Sequence, residues 1–104
     1  MKPMKMHCLM IRIKKNDTVD GKRTHLVILE ILKKSKISGA TAWTGVEGYG
    51  KRGTSNFQIE GISVNMPIVI EAIDEISKIE SALPDIKKVV GDNGLVTIHE
   101  VGLV

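Results

Sequence analysis

From Met6 to Ile13 apolar side chains fall into two alternating sets. Leu9, Ile11 and Ile13 form one set and Met6, Cys8 and Met10 the other, the period-two signature of a β-strand. Both faces of this strand are apolar, whereas a sheet covered by helices on one side normally turns a polar face to water. Asn16 to Gly21 is turn chemistry, and the following THLVILEILKKSKI has helical length and ends in Lys33, Lys34 and Lys36, cations suited to a helix C-terminus. Leu26, Val27, Ile28, Leu29, Ile31 and Leu32 surround more of that axis than one buried stripe requires, so part of this helix is expected to meet something besides its own sheet.

Gly39 opens a second strand, ATAWTGVEGYG, in which Ala42, Thr44 and Val46 alternate with Trp43, Gly45 and Glu47. A glycine-bounded basic stretch, GYGKRGTSN, follows. It leads through FQIEGISVN to PIVIEAI, a third strand with Pro67 at its start, where strands tolerate proline. Asp74 reads as an N-cap and Glu75 as a complement to the helix dipole. Ile76, Ile79, Leu83, Ile86 and Val90 then recur at helical spacing up to Gly91, a helix-ending glycine. Pro84 lies inside this second helix and is expected to kink it. GDNG forms a turn and LVTIHEV alternates as the last strand.

The order strand, helix, strand, strand, helix, strand predicts an α+β domain of the ferredoxin-like βαββαβ kind over residues 1–104, with both helices on one face of a four-stranded antiparallel sheet. The opposite face is expected to carry Met6, Cys8 and Met10, with some of Ala42, Thr44 and Val46. Leaving it wet would forfeit a few kcal/mol at roughly 25 cal/mol per Å², against a total stability of about 5–15 kcal/mol. Self-association in a closed, symmetric assembly is the simple remedy.

Composition sharpens this picture in three ways. Apolar residues make up 42% but aromatics only 3%, with Trp43, Tyr49 and Phe57 the full set, so the core is aliphatic. The net charge of +3 favours anionic ligands in general, is more plainly read as a solvated Lys-rich surface, and falls short of a nucleic-acid-binding extreme. One cysteine, Cys8, cannot close an intrachain disulfide. With no cleavage-site pattern after the basic start and no run of roughly 20 apolar residues, the expectation is a cytoplasmic protein without membrane insertion.

Chemistry is sparse. Gly48, Gly50 and Gly53 around Lys51 and Arg52 would let backbone amides and two cations approach a phosphate, although the same residues also make an ordinary solvated loop. The segment is no P-loop, because it lies between strands. Tyr49 can stack on a base or pack against the protein, and packing is the more ordinary fate. Gly91, Asp92, Asn93 and Gly94 can form an amide nest or simply a helix stop and turn. Met1, Met4, Met6, His7, Cys8 and Met10 are soft-metal ligand types, but a strand points His7 away from Cys8 and no CxxC is present, so strand packing is the plainer reading. His25 and His99 have no evident partner nearby in sequence. Glu71, Asp74 and Glu75 read as fold chemistry, and no catalytic constellation stands out, so no enzyme is expected. RNA-recognition modules share the topology but stack bases on aromatics of their first and third strands, and MHCLMIRI and MPIVIEAI have none.

The runs ILKKSKISGATAWTGVEGYGKRG and VVGDNGLVTI resemble the PII signalling proteins. A closer resemblance is to the PII-like family called domain of unknown function 190, with its GKxLYEALV, GxxGATVxRGxxGFG, LPVVIEIVDxxEKIExFLP and GGLVTLExV. Here the matching segments are DGKRTHLVILE, SGATAWTGVEGYG, MPIVIEAIDEISKIESALP and NGLVTIHEV, spanning about Met6 to Val101. The resemblance implies a homotrimer whose open sheet faces pack about a three-fold axis. It also implies clefts between subunits, near the loop after strand two of one chain and the turn before the last strand of another. There Gly48, Tyr49, Gly50, Lys51 and Arg52 would face Gly91, Asp92, Asn93 and Gly94 around a small anionic metabolite, with an adenine nucleotide as candidate and Lys51 and Arg52 on its phosphates. A regulated protein would dock on the loop 51–57. The chain departs from PII in having Leu95 after Gly94 where PII has a phosphate-gripping lysine, in ending at Val104 without the PII C-terminal arginines, and in a shorter loop without the modifiable tyrosine. A trimer of the divalent-cation-tolerance type and a purely protein-binding adaptor share the same fold and stand as alternatives.

Overall fold

A computed structural model describes residues 1–56 and 65–104. Phe57 and the stretch to position 64 lie outside the described residues, so the expected docking loop is described only as far as Asn56. Along the chain come β1 (Met4–Lys14), β2 (Thr18–Val19), β3 (Lys22–Arg23), α1 (Thr24–Lys34), β4 (Ala40–Thr44), β5 (Glu47–Gly50), β6 (Gly53–Asn56), β7 (Pro67–Asp74), α2 (Ile76–Val90) and β8 (Leu95–Leu103).

Four of these strands make one antiparallel sheet in the order β4-β7-β1-β8. This is the ferredoxin-like order, α+β, with α1 and α2 side by side on one face. The alternation in β1 sets the core: Leu9, Ile11 and Ile13 point to the helices beside Ile68, Ile70 and Ala72 of β7. Ile28 and Leu32 of α1 and Ile79, Ala82, Ile86 and Val90 of α2 close over them. Each fully buried aliphatic side chain is worth about 1.5–3 kcal/mol, and among the described residues no aromatic ring takes part. Among the described residues no helix is long and apolar enough to cross a membrane.

Three local expectations need correction. The second strand does not run through ATAWTGVEGYG: β4 ends at Thr44, and β5 leaves the sheet to pair with β6 as a separate hairpin. Ala42 and Thr44 are not on the open face, because they pair with Ile70 and Ile68, whose side chains face the helices. Trp43 and Thr41 take the open face instead, opposite Val69 and Glu71. Finally, Asp74 closes β7 and does not cap α2 in the usual way. Glu75 occupies the N-cap position without a side-chain bond, and Ile76, expected inward, is exposed.

Asp74 serves tertiary structure. Its buried carboxylate accepts from the backbone N–H and Oγ of Ser38, both at 2.9 Å, and from the Glu75 N–H at 2.7 Å, tying the α1–β4 connection to the end of β7. The Ser38 N–H bond is the main reason its carboxyl sits below the ordinary range, and Glu75 and Lys78 add to it against the opposing effect of burial.

The open face is the fold's remaining asymmetry. Met4, Met6, Cys8 and Met10 of β1 line up with Leu103, Val101, His99 and Thr97 of β8, while Val69, Glu71 and Ile73 come from β7 and Trp43 from β4. Cys8 is buried at the centre of this face, and desolvation together with nearby Glu71 pushes its thiol up, so it is an unreactive packing group. Around it Met4 is 59% exposed, Leu103 46%, Trp43 42% and Leu95 55%, apolar surface left open among the described residues.

Asp74→Ala leaves three donors at the α1–β4 junction without their acceptor and is expected to cost about 2–3 kcal/mol in urea unfolding at fixed protein concentration. Because the folded carboxyl titrates below its unfolded value, this stabilisation is present above the ordinary carboxylate range and fades as pH falls through the lowered folded value.

Candidate functional site

The point where β4 leaves the sheet builds the site. The Gly45 N–H donates to the Pro67 carbonyl at 2.7 Å, and a Cβ on Gly45 would lie 2.9 Å from the Pro67 ring, so a glycine is needed for the chain to pass. Beyond it, β5 and β6 pair from Glu47 opposite Asn56 to Gly50 opposite Gly53, with Lys51 and Arg52 at the tip and Gly53 at φ +98°. This hairpin walls a groove of about 560 Å³. Pro67 and Val69 of β7 and the end of β1 from Arg12 to Lys14 form its floor, and Asn93, Gly94 and Leu95 its far rim.

The rim is held close by packing. A Cβ on Gly94 would stand 2.5 Å from the Arg12 carbonyl and 2.8–2.9 Å from Ile13 and Val90, so the turn before β8 lies directly on β1 only because Gly94 has no side chain. Of the residues expected at the cleft, Gly48, Tyr49, Gly50, Lys51, Arg52, Asn93 and Gly94 line this groove. Gly91 and Asp92 do not: Gly91, at φ +56°, ends α2 and lines a separate, smaller depression against β8, and Asp92 is exposed. Tyr49 does not pack within the protomer, where it is 91% exposed.

Arg52 is already engaged. Its guanidinium meets the Asp17 carboxylate through two hydrogen bonds of 2.9 and 2.8 Å and donates a third, 2.8 Å, to the Asn93 carbonyl. Asp17, in the turn after β1, also accepts from the Lys14 N–H at 3.0 Å, while its own carbonyl accepts from the Thr24 N–H at 2.9 Å. One side chain thus clips together three turns distant in sequence: the hairpin tip, the turn after β1 and the turn before β8. Desolvation pushes the Asp17 carboxyl up, but the Arg52 bonds, the Lys14 N–H and the charges of Arg52 and Lys14 outweigh it, and the group titrates below the ordinary range.

Among the described residues the groove's other cations are Arg12, Lys14 and Lys51, against one lining carboxylate, Glu47. Among the described residues neither the Arg12 nor the Lys51 side chain has a hydrogen-bond or ion-pair partner. Arg12, Lys14 and Asp17 escaped the sequence reading because they sit in a strand and a turn without local motif. Apolar Pro67, Val69 and Leu95 beside these cations suit an anion carrying an apolar body. No group of three or more metal-ligating side chains is assembled among the described residues.

Comparison with known proteins places this geometry among relatives. The family DUF190, described as Uncharacterized ACR, matches residues 6–103. A UPF0166 protein of Methanocaldococcus jannaschii is 39% identical over 93% of this chain and 90% of its own length. A UPF0166 protein of Aquifex aeolicus is 32% identical over 100% of this chain and 98% of its own. Among solved structures, CPII of Thiomonas intermedia K12, a nitrogen regulatory PII-like protein bound to ADP, AMP and bicarbonate, superposes with a TM-score of 0.76 over 98% of this chain and 91% of its own, at 16% identity. That likeness shows the fold to be PII-like.

Removing the clip should loosen the hairpin without unfolding the sheet. In Asp17→Asn, hydrogen exchange of residues 47–53 is expected to accelerate roughly five- to thirtyfold, the effect of about 1–2 kcal/mol for a partly exposed charge-assisted pair, while β1 and β7 keep their protection. In the unaltered chain, after correction for intrinsic rates, the same loosening is expected as pH drops through the lowered Asp17 value, because the clip needs the carboxylate.

Proposed function

The chain belongs to the DUF190 family, and on that premise we propose that it is a PII-like regulatory binding protein, a homotrimer that takes a small anionic metabolite in clefts between subunits. The groove carries this reading: cations of β1 and the β5–β6 hairpin, Arg12 and Lys51 unpaired among the described residues, lie beside apolar Pro67, Val69 and Leu95 in a volume suited to a small ligand. CPII, bound to ADP and AMP, shares the fold, which makes an adenine nucleotide the first ligand to test. The exposed apolar face of the sheet supports the trimer. Sister copies of that surface would cover it, and closed symmetry prevents runaway association.

The ligand would report its presence through the hairpin. Tyr49, almost wholly exposed beside the tip, supports docking of a regulated protein on the segment beginning at Lys51. Binding and relay, without bond making, is the activity proposed.

Isothermal calorimetry of the full chain against ADP, AMP and ATP is expected to show saturable binding of at least one of them. Lys51→Ala should weaken it about tenfold, the loss of one charge-assisted contact. No heat with any of the three would remove the nucleotide reading, and an unchanged affinity in the variant would remove Lys51 as a contact.

A further inference from the structure

The sequence offers Lys51 and Arg52 as twin anion contacts, but the structure does not treat them alike. Arg52 has its fork on Asp17 and a third bond to Asn93, so three hydrogen bonds of the five a guanidinium can donate are already made within the protein. A guanidinium bound in this way has its end-on fork taken, and only its Nε–Nη2 edge is left to reach a ligand while the clip stays closed. Withdrawing it would also leave the Asp17 carboxylate, whose side chain is 9% exposed, without its counter-charge.

Arg12 is in the opposite situation. It lies on the open face of β1, in register with Val69 of β7 and Leu95 of β8, both of which line the groove with it. Its side chain is exposed and unpaired among the described residues, while its backbone is fixed from both sides, by pairing with β7 and β8 and by the close approach of Gly94 to its carbonyl. A rigid strand carrying a free planar fork, flanked by apolar neighbours, is the arrangement that binds a carboxylate or phosphate bidentately while its apolar body rests alongside. Lys14 acts on Asp17 from the same strand, and Glu47 across the groove limits the net positive charge.

We infer that Arg12 is the side chain that recognises the anionic group of the groove's ligand, and that Arg52 is a positioning residue which holds the hairpin in place through Asp17 and Asn93. The inference rests on the reading of the groove as an anion site, and it gives Arg12 and Arg52 different phenotypes.

The experiment titrates ADP, AMP and inorganic phosphate into the full chain and into Arg12→Gln, Arg12→Lys and Arg52→Gln. Hydrogen exchange of residues 47–53 and the mass by light scattering are recorded for each protein. Arg12→Gln is expected to lose about 10- to 100-fold in affinity, Arg12→Lys to recover part of it, and both to keep the hairpin's protection and the assembly mass of the unaltered chain. Arg52→Gln is expected to lose less affinity and to exchange faster at the hairpin. If the unaltered chain binds a probe and Arg12→Gln binds it within twofold, the inference falls while the groove reading stands. Loss of affinity in Arg52→Gln with the hairpin still protected would make Arg52 the contact and overturn the assignment. A changed mass in Arg12→Gln would give Arg12 a role in assembly and overturn it too. If the unaltered chain binds none of the probes, the groove reading falls and takes the inference with it.

Discussion

A sheet has two faces, and this one has helices for only one of them. The constraint originates in β1, where Leu9, Ile11 and Ile13 dock under α1 and α2 while Met4, Met6, Cys8 and Met10 point the other way, Cys8 buried among its neighbours, Met6 and Met10 half-buried and Met4 exposed. The aliphatic core beneath the helices is sufficient to define the fold. The other face, widened by Trp43, Val69, Ile73 and Leu103, is the surface that the proposed assembly would cover. In the proposed assembly that requirement also brings grooves and hairpins of neighbouring copies near one another, so stability and ligand binding share one cause.

The groove is made by three turns meeting at one arginine. Gly45 lets the chain leave the sheet, Gly94 lets the turn before β8 lie on β1, and Arg52 holds the hairpin tip to both Asp17 and Asn93. Together they fix the position of the β5–β6 pair relative to the sheet. An anion arriving beside this clip would enter a field already set by Arg12, Lys14 and Lys51, and its charge would be felt at the Asp17–Arg52 pair.

What the sequence revealed followed its periodicities. The six principal elements, their order and the two-sided apolarity of β1 could all be read, because period-two and helical patterns are local properties. The family resemblance likewise followed contiguous segments. The face of β4 could not be read, since Ala42 and Trp43 alternate regardless of which one points at the helices; the register with Ile70 and Val69 of β7 decides it. The break after Thr44 was hidden because Val46, Glu47 and Tyr49 continue a strand-like alternation after the chain has left the sheet. Asp74 has the chemistry of a cap, and only the approach of Ser38 from 36 positions away redirects it. The site was legible where glycines and cations cluster and illegible where a lone residue acts at a distance. Asp17 meets Arg52 across 35 positions, and Arg12 is a single charge in a strand.

Sedimentation equilibrium over a wide range of loading concentrations addresses the central claim most directly. An apolar sheet face covered by sister copies predicts a folded species of three times the 11.4 kDa protomer mass, persisting to low micromolar concentration and dissociating when a charge is placed at Met6 or Val101. A folded, stable species at the protomer mass throughout would show that this face tolerates water, and the account of the shared cleft would fail with it.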